Sequence, residues 1–301
     1  MARKASKKRR STRNGITHIG FTRTRRFPAA NSTRMQRWLT WRAQQDTPFT
    51  LASLFRNGQV GGAAFVFNPN TCFQDVAATV PCTAHGDPVR AVMDQSGNGY
   101  VAVQDGADGS RPLLKQDADG FWHLETNGSS TFLRADGIDL TRSDEVTVIT
   151  GYQKDTDTSA RMVYEFSTAA DSTSNHGTFA LLAPRDNLAS NARLFASGDA
   201  LRTALTQTGI EVGETHVYSQ LVKISADYHV LRLDGVQTQS TSDDLKGGMM
   251  GNHSLHIGSR AGTSLFGQGK TYSLLVINEV LTGAILAEAE DYTAHLSNVS
   301  L

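Results

Sequence analysis

From Phe49 onward the chain is cut into short β-type runs by turn signals, and that punctuation narrows the choice of architecture more than any other feature. The clearest runs are Ala63–Asn68, Glu145–Tyr152, Arg161–Phe166, Thr178–Ala183, Val217–Ile224, His229–Asp234, Ser254–Gly258 and Tyr272–Asn278. In His229–Asp234, His229, Leu231 and Leu233 face one way while Val230, Arg232 and Asp234 face the other. A period of two marks a half-buried antiparallel strand. Asp94-Gln-Ser-Gly-Asn-Gly, Asp117-Ala-Asp-Gly, Asn127-Gly and Asp234-Gly separate the runs with residues that accept tight turns. Only the end reads as helix: Ile285, Ala289, Tyr292 and Leu296 form one stripe within Thr282–Ser297, with Glu288, Glu290 and Asp291 on solvated faces. Many short strands at this spacing predict an all-β body, a two-sheet antiparallel sandwich with one C-terminal helix laid against it.

Charge is segregated along the chain. The sequence holds 29 basic and 29 acidic residues, so its formal net charge is zero. Thirteen of the basic residues precede Asp46, with no carboxylate among them: Arg3, Lys4, Lys7, Lys8, Arg9, Arg10, Arg13, Arg23, Arg25, Arg26, Arg34, Arg37 and Arg42. The remainder keeps 16 basic against 29 acidic residues, a net of −13. Two segments follow, a basic N-terminal arm over 1–46 and a folded domain over 49–301. The first part of the arm has few large apolar residues, so burial cannot offset the entropy of ordering it. Within the arm, Asn31 or Ser32 is placed to cap a short helix over 32–45 with Met35, Trp38, Leu39 and Arg42 on one stripe and Trp41 off it. Thirteen cations and two tryptophans make this segment the candidate partner-binding element, read as extended. It suits either phosphates of packaged nucleic acid, without sequence readout, or acidic surfaces of neighbouring subunits, including another copy's body.

The stretch Cys72-Phe-Gln-Asp, Pro81, Gly86-Asp-Pro-Val, Asp94-Gln-Ser-Gly-Asn-Gly, Gln104 and Arg111-Pro112 resembles the opening of concanavalin A-like (laminin G-like) domains of bacteriophage and prophage structural proteins. Phe121–Leu140, Leu231-Arg-Leu-Asp-Gly-Val and Leu255-His-Ile-Gly followed by Phe266-Gly are similar to later strands of that family. The resemblance covers about residues 52–297 and leaves the arm outside it. It implies a jelly-roll sandwich from a phage structural gene. It implies no single activity, because this fold hosts lectins, hydrolases and structural domains alike.

Individual motifs point away from catalysis. Ser264-Leu-Phe-Gly-Gln-Gly-Lys-Thr271 departs from the phosphate-binding loop only at its first residue, but the run that follows it reads as a strand rather than the helix such a loop needs. A retaining glycosidase needs two carboxyls about 5–5.5 Å apart, and no alternating acidic pattern on one strand supplies them. The densest acidic cluster, Glu288-Ala-Glu-Asp291, lies on the predicted helix. Asp117, Asp119, Asp155 and Asp157 read as turn formers rather than calcium ligands. Trp122, Tyr100 and Tyr228 are the candidate sugar-stacking aromatics, with core positions as the ordinary alternative. Cys72 and Cys82, the two cysteines, stand where a hairpin would bring them together, and two partly buried thiols are expected in a reducing cytosol. No apolar run reaches the roughly 18 residues of a membrane span, so no membrane partner is expected. No secretory h-region follows the charged start either.

These readings converge on an expectation: a non-enzymatic virion protein without cofactor or metal, made in the host cytoplasm and incorporated into a phage particle. Its basic arm would anchor it among capsid or tail subunits, as a homo-oligomer, in a decoration or fibre-attachment role. The alternative is a host-glycan-binding adhesion module, and a polysaccharide hydrolase is a third reading.

Overall fold

The computed structural model describes residues 49–167, 176–185, 190–199 and 202–301, and every element below belongs to them. The period-two pattern does what it predicts in the longest strands. In Glu145–Lys154 (β9), Val146, Val148 and Tyr152 enter one apolar cluster while Ile149 enters another on the opposite face. In Gln268–Ile277 (β18), Leu274 and Val276 share the first cluster, Leu275 and Ile277 the second.

Two nine-stranded antiparallel sheets result. The first runs in the order β16 (Val236–Thr241), β15 (Tyr228–Leu233), β14 (Thr215–Lys223), β9, β18, β7 (Trp122–Asn127), β6 (Leu113–Gln116) and β3 (Asp87–Pro88). Its ninth strand, β1 (Gly62–Val66), pairs with the C-terminal half of β18, matching Gly62 to Ile277 and Val66 to Ser273. The second sheet runs β13 (Arg202–Thr208), β12 (Asn191–Ser197), β11 (Phe179–Leu182), β10 (Met162–Ser167), β17 (Asn252–Ile257), β8 (Leu133–Asp139), β5 (Val101–Val103), β4 (Ala91–Met93) and β2 (Cys72–Phe73). All eight β-type runs read from the sequence are strands, with ends shifted by a few residues. The body is therefore the two-sheet antiparallel sandwich that the turn spacing predicts.

The main core lies between the sheets, where Phe65, Leu124, Tyr152, Leu231 and Leu274 of the first meet Leu133, Tyr164, Phe166, Phe179 and Leu255 of the second. Each such buried side chain contributes about 1.5–3 kcal/mol relative to exposure. A polar chain crosses this core. Tyr164 donates its hydroxyl to Gln220 Oε1 (3.0 Å), and Gln220 Nε2 donates to the Phe195 carbonyl (2.8 Å) and to His229 Nε2 (3.0 Å). An accepting Nε2 leaves the ring proton on Nδ1, which faces Thr203 Oγ1 at 2.8 Å. These bonds join β14 and β15 to β10, β12 and β13. Burial holds His229 neutral, its pKa pushed down to about 3.

The first sheet is buried on its outer face too. Gly283–Leu296 (α2) and the segment opened by the four-residue helix Leu51–Leu54 (α1) cover Ala64, Val66, Ile149, Val217, Leu221, Val230 and Leu275. The sequence pattern is corrected here in three places. Strand β15 is covered on both faces rather than half-buried, with Val230 beneath this layer. The helix stripe is rotated: Leu286, Ala289, Thr293 and Ala294 are buried, whereas Ile285 is 53 % exposed. Glu290 is not solvated charge; its carboxylate is buried and held by Arg232 at 2.7 and 3.0 Å. The helix face that buries Leu286, Ala289 and Ala294 thus also turns Glu290 toward Arg232 on the sheet.

Candidate functional site

All fourteen arm positions expected to bind a partner (Arg3, Lys4, Lys7, Lys8, Arg9, Arg10, Arg13, Arg23, Arg25, Arg26, Arg34, Arg37, Trp38 and Trp41) lie outside the described residues, as does the expected helix over 32–45. The motifs of the resembled family can be placed, and they are architectural. Asp75 accepts backbone N–H bonds from Thr79 (2.9 Å) and Val80 (2.8 Å). Asp87 closes the next turn by accepting from Thr83 (2.7 Å) and Ala84 (2.9 Å). Asp94 accepts from Ala64 (2.8 Å) and Ser96 (2.8 Å), which pins β1 to the following loop. Gln104 donates to the Phe132 carbonyl (3.2 Å). These carboxylates satisfy otherwise orphaned backbone donors, so the motif contributes to the fold.

Two of the candidate calcium-ligand aspartates are similarly occupied. Asp117 Oδ1 accepts from Asp119 N (3.0 Å) and Phe121 N (2.9 Å), closing its turn, and Asp157 pairs with the buried Lys154. Among the described residues no group of three or more His, Cys, Asp or Glu is arranged to hold a metal ion. Ser264 pairs with Arg260 in a short loop, and Gln268, Lys270 and Thr271 already belong to β18, so no helix N-terminus stands after the phosphate-loop lookalike. Trp122 and Tyr100 pack against the inter-sheet core and Tyr228 against the helix-covered face. All three are half-buried.

Chemistry-bearing side chains do meet on the outer face of the second sheet. Cross-strand partners share a face, and the registers place Phe195, Ala180, Glu165, His256, Arg134 and Val103 in one row from β12 to β5. Alternate residues of the same strands, such as Phe166, Phe179, Leu255 and Ala135, point into the core. Glu165 is fully buried, with Ala261 donating to its Oε2 (3.1 Å) and the Arg260 guanidinium 3.4 Å from Oε1. Both partners come from the β17–β18 loop, which presses onto the sheet: a Cβ at Gly262 would stand 2.7 Å from the Phe132 ring. Phe132 and Phe266 sit 6.2 Å apart as a tilted, half-buried pair.

Beside them the face is open and polar. Arg134, with 38 % of its side chain exposed, lies 2.9 Å from Asp136 and 4.0 Å from Asp105. Ser254 Oγ donates to Asp136 at 2.7 Å. Hydrogen bonds from Ser254 and Arg134 outweigh partial burial and hold Asp136 below the usual carboxylate range. His256 is 6 % exposed and its Nδ1 has no hydrogen-bond partner. Burial, then the Arg134 charge, pushes its pKa down to about 4, so the ring is neutral near neutral pH. At the other end of the row, the Arg193 and Arg202 guanidiniums lie 4.9 and 4.8 Å from the Phe195 ring centroid. Around Arg134 the surface thus offers a forked donor, a hydroxyl, carboxylate acceptors and a pair of apolar rings. That set matches vicinal hydroxyls and the apolar faces of a sugar ring.

Sequence reading missed this patch. Alternation within Ser254–Gly258 already puts Ser254 and His256 on one face, but Glu165, His256 and Arg134 come from three strands separated by up to 122 positions. Only the β10–β17–β8 strand order unites them.

No family model matches the chain, and no curated protein matches it significantly. Solved structures do. The receptor-binding domain of botulinum neurotoxin C/D mosaic serotype superposes with a TM-score of 0.53 at 11 % identity, covering 80 % of this chain and 52 % of that one. The serotype D ligand-binding domain in complex with N-acetylneuraminic acid gives 0.54 at 10 % identity, over 81 % and 53 %. The neurotoxin DC binding domain in complex with SialylT gives 0.53 at 6 %, over 79 % and 52 %. The chain spans about half the length of these domains. At such identities the likeness is one of fold: a β-sandwich shared with binding domains.

Proposed function

We propose that the β-body is a non-enzymatic carbohydrate-binding module, in which Arg134, Asp136, Ser254 and the Phe132–Phe266 pair receive the sugar. The observation that carries this reading is the fold shared with receptor-binding domains, two of which are described with sugar ligands bound. The polar and aromatic patch on the second sheet supplies a matching surface. Its carboxylates are engaged rather than poised for acid–base work: Glu165 is buried against Arg260 and Ala261, and Asp136 is held by Arg134 and Ser254. A glycan array with the full chain tests the reading. Saturable binding to one sugar class, weakened about tenfold or more by Arg134→Ala, is expected; an array without saturable binding overturns it. A reducing-end assay on bound polysaccharide tests the non-enzymatic part, since release of sugar ends would make the module a hydrolase.

Charge segregation favours a second, compatible reading: the basic arm joins this module to a larger assembly. Thirteen cations ahead of a body of net −13 suit an anchor that lies on acidic subunits or on packaged nucleic acid. With the phage-type opening motif, the assembly is read as a bacteriophage particle, with the module in a capsid-decoration or tail-attachment position. Removing residues 1–45 tests the anchor. The truncated protein is expected to stay out of particles, and incorporation at normal copy number would refute the arm's role.

A further inference from the structure

The bridge between Phe73 and Pro81 is antiparallel, Gln74 donates its N–H to the Val80 carbonyl (2.8 Å), and Cys82 donates to the Cys72 carbonyl (2.9 Å). These three contacts share one register, in which Cys72 and Cys82 stand directly opposite each other. Directly opposed, hydrogen-bonded residues of an antiparallel pair have Cα atoms about 5.5 Å apart and side chains on one face. A disulfide spans Cα separations of about 4.4–6.8 Å. Both thiols are fully buried in the same inter-sheet cluster and neither is bridged.

We propose that Cys72 and Cys82 form a built-in cross-strand disulfide site, closed by a small-molecule disulfide such as oxidised glutathione. The exchange balances in two steps. One cysteine thiolate attacks a glutathione disulfide sulfur, breaking the S–S bond, forming a mixed disulfide and releasing one glutathione thiolate. The facing thiolate then attacks the protein sulfur, forming the Cys72–Cys82 bond and releasing the second glutathione. Two electrons pass to the glutathione disulfide, and the two thiol protons end on the two glutathione thiolates.

Placement makes the reaction conditional. Burial pushes both thiols up to about 12; for Cys82 the Asp87 carboxylate adds to the rise, and for Cys72 the facing Cys82 would repel a second thiolate. Little thiolate exists in the closed state, so exchange follows local opening. The two-residue strand β2 lies at the end of its sheet, where such opening is least costly. The bridge is therefore expected to close slowly in the folded protein and faster during refolding.

The test uses the full wild-type chain, refolded and then incubated with a reduced and oxidised glutathione couple. Intact mass, alkylation of free thiols after denaturation and a peptide map of 72–82 are read. The expected result is loss of two hydrogens, no alkylatable cysteine and one peptide linked within itself. Closing this short loop is expected to raise Tm by about 5–10 °C over the reduced protein. Two alkylatable thiols, stable glutathione adducts on both cysteines, a cross-linked dimer, or a bridged form with a lower Tm would each overturn the proposal.

Discussion

Acid should destabilise this fold, most of all through one identifiable side chain. His229 is fully buried between the sheets, with Gln220 donating to its Nε2 and Thr203 at its Nδ1, and nothing nearby compensates a positive ring. Its pKa lies at about 3 in the folded protein, against about 6.5 for an unperturbed imidazole. The sign follows directly. Below the ordinary value the unfolded chain binds a proton that the native state refuses, so stability is lost as pH falls through that window, down to the folded value. Between about pH 7.5 and about pH 5 the loss from this one group is about 2 kcal/mol. His123 and His256, each lowered to about 4 mainly by burial, act in the same direction. Subtracting a variant isolates His229. His229→Gln retains a polar group against Gln220 and Thr203; it lowers stability at neutral pH by about 1–3 kcal/mol through imperfect hydrogen bonding. Its further loss on acidification should be about 2 kcal/mol smaller than that of the wild type. Urea unfolding at the two pH values, followed by tyrosine and tryptophan fluorescence, measures both numbers. An equal acid-induced loss in the two proteins would show that His229 is not the neutral, buried group described here.

Glu290→Ala should destabilise by about 3 kcal/mol in thermal or urea unfolding, because it leaves the Arg232 guanidinium without its buried partner. The double change Arg232→Met with Glu290→Leu should recover most of that loss. Gly62→Ala should cost about 3 kcal/mol or more, visible as a lowered urea midpoint or insoluble expression. Its new Cβ would stand 2.0 Å from the Val276 carbonyl oxygen at a φ of +115°, prising β1 from β18. Arg134→Ala should leave the urea midpoint nearly unchanged and weaken sugar binding by about tenfold or more, read by titration on the best array ligand.

The local physics of this protein was legible in its residues. Short β-type runs bounded by turn signals named eight strands, because apolar, β-branched and aromatic side chains suit a buried pleated surface. Asp117 was legible as a turn former, since a short carboxylate caps local N–H groups where the chain reverses; the same role of Asp75 and Asp87 emerged only in the structure. Charge counting alone set the arm apart from the body. Short strands such as β2, β3 and β5 escaped notice because two or three residues cannot display a period. Strand order, helix rotation and buried charge were decided only in three dimensions. Ile285 and Glu290 look apolar-facing and solvent-facing by periodicity, yet Ile285 is exposed and Glu290 meets Arg232 on a strand 58 positions away. The row through Glu165, His256 and Arg134, and the core chain through Tyr164, Gln220 and His229, are products of non-local pairing. A sequence records what each residue prefers next to its neighbours; which distant side chains share a face depends on which sheet edges pair, and that is settled by packing the whole sandwich at once.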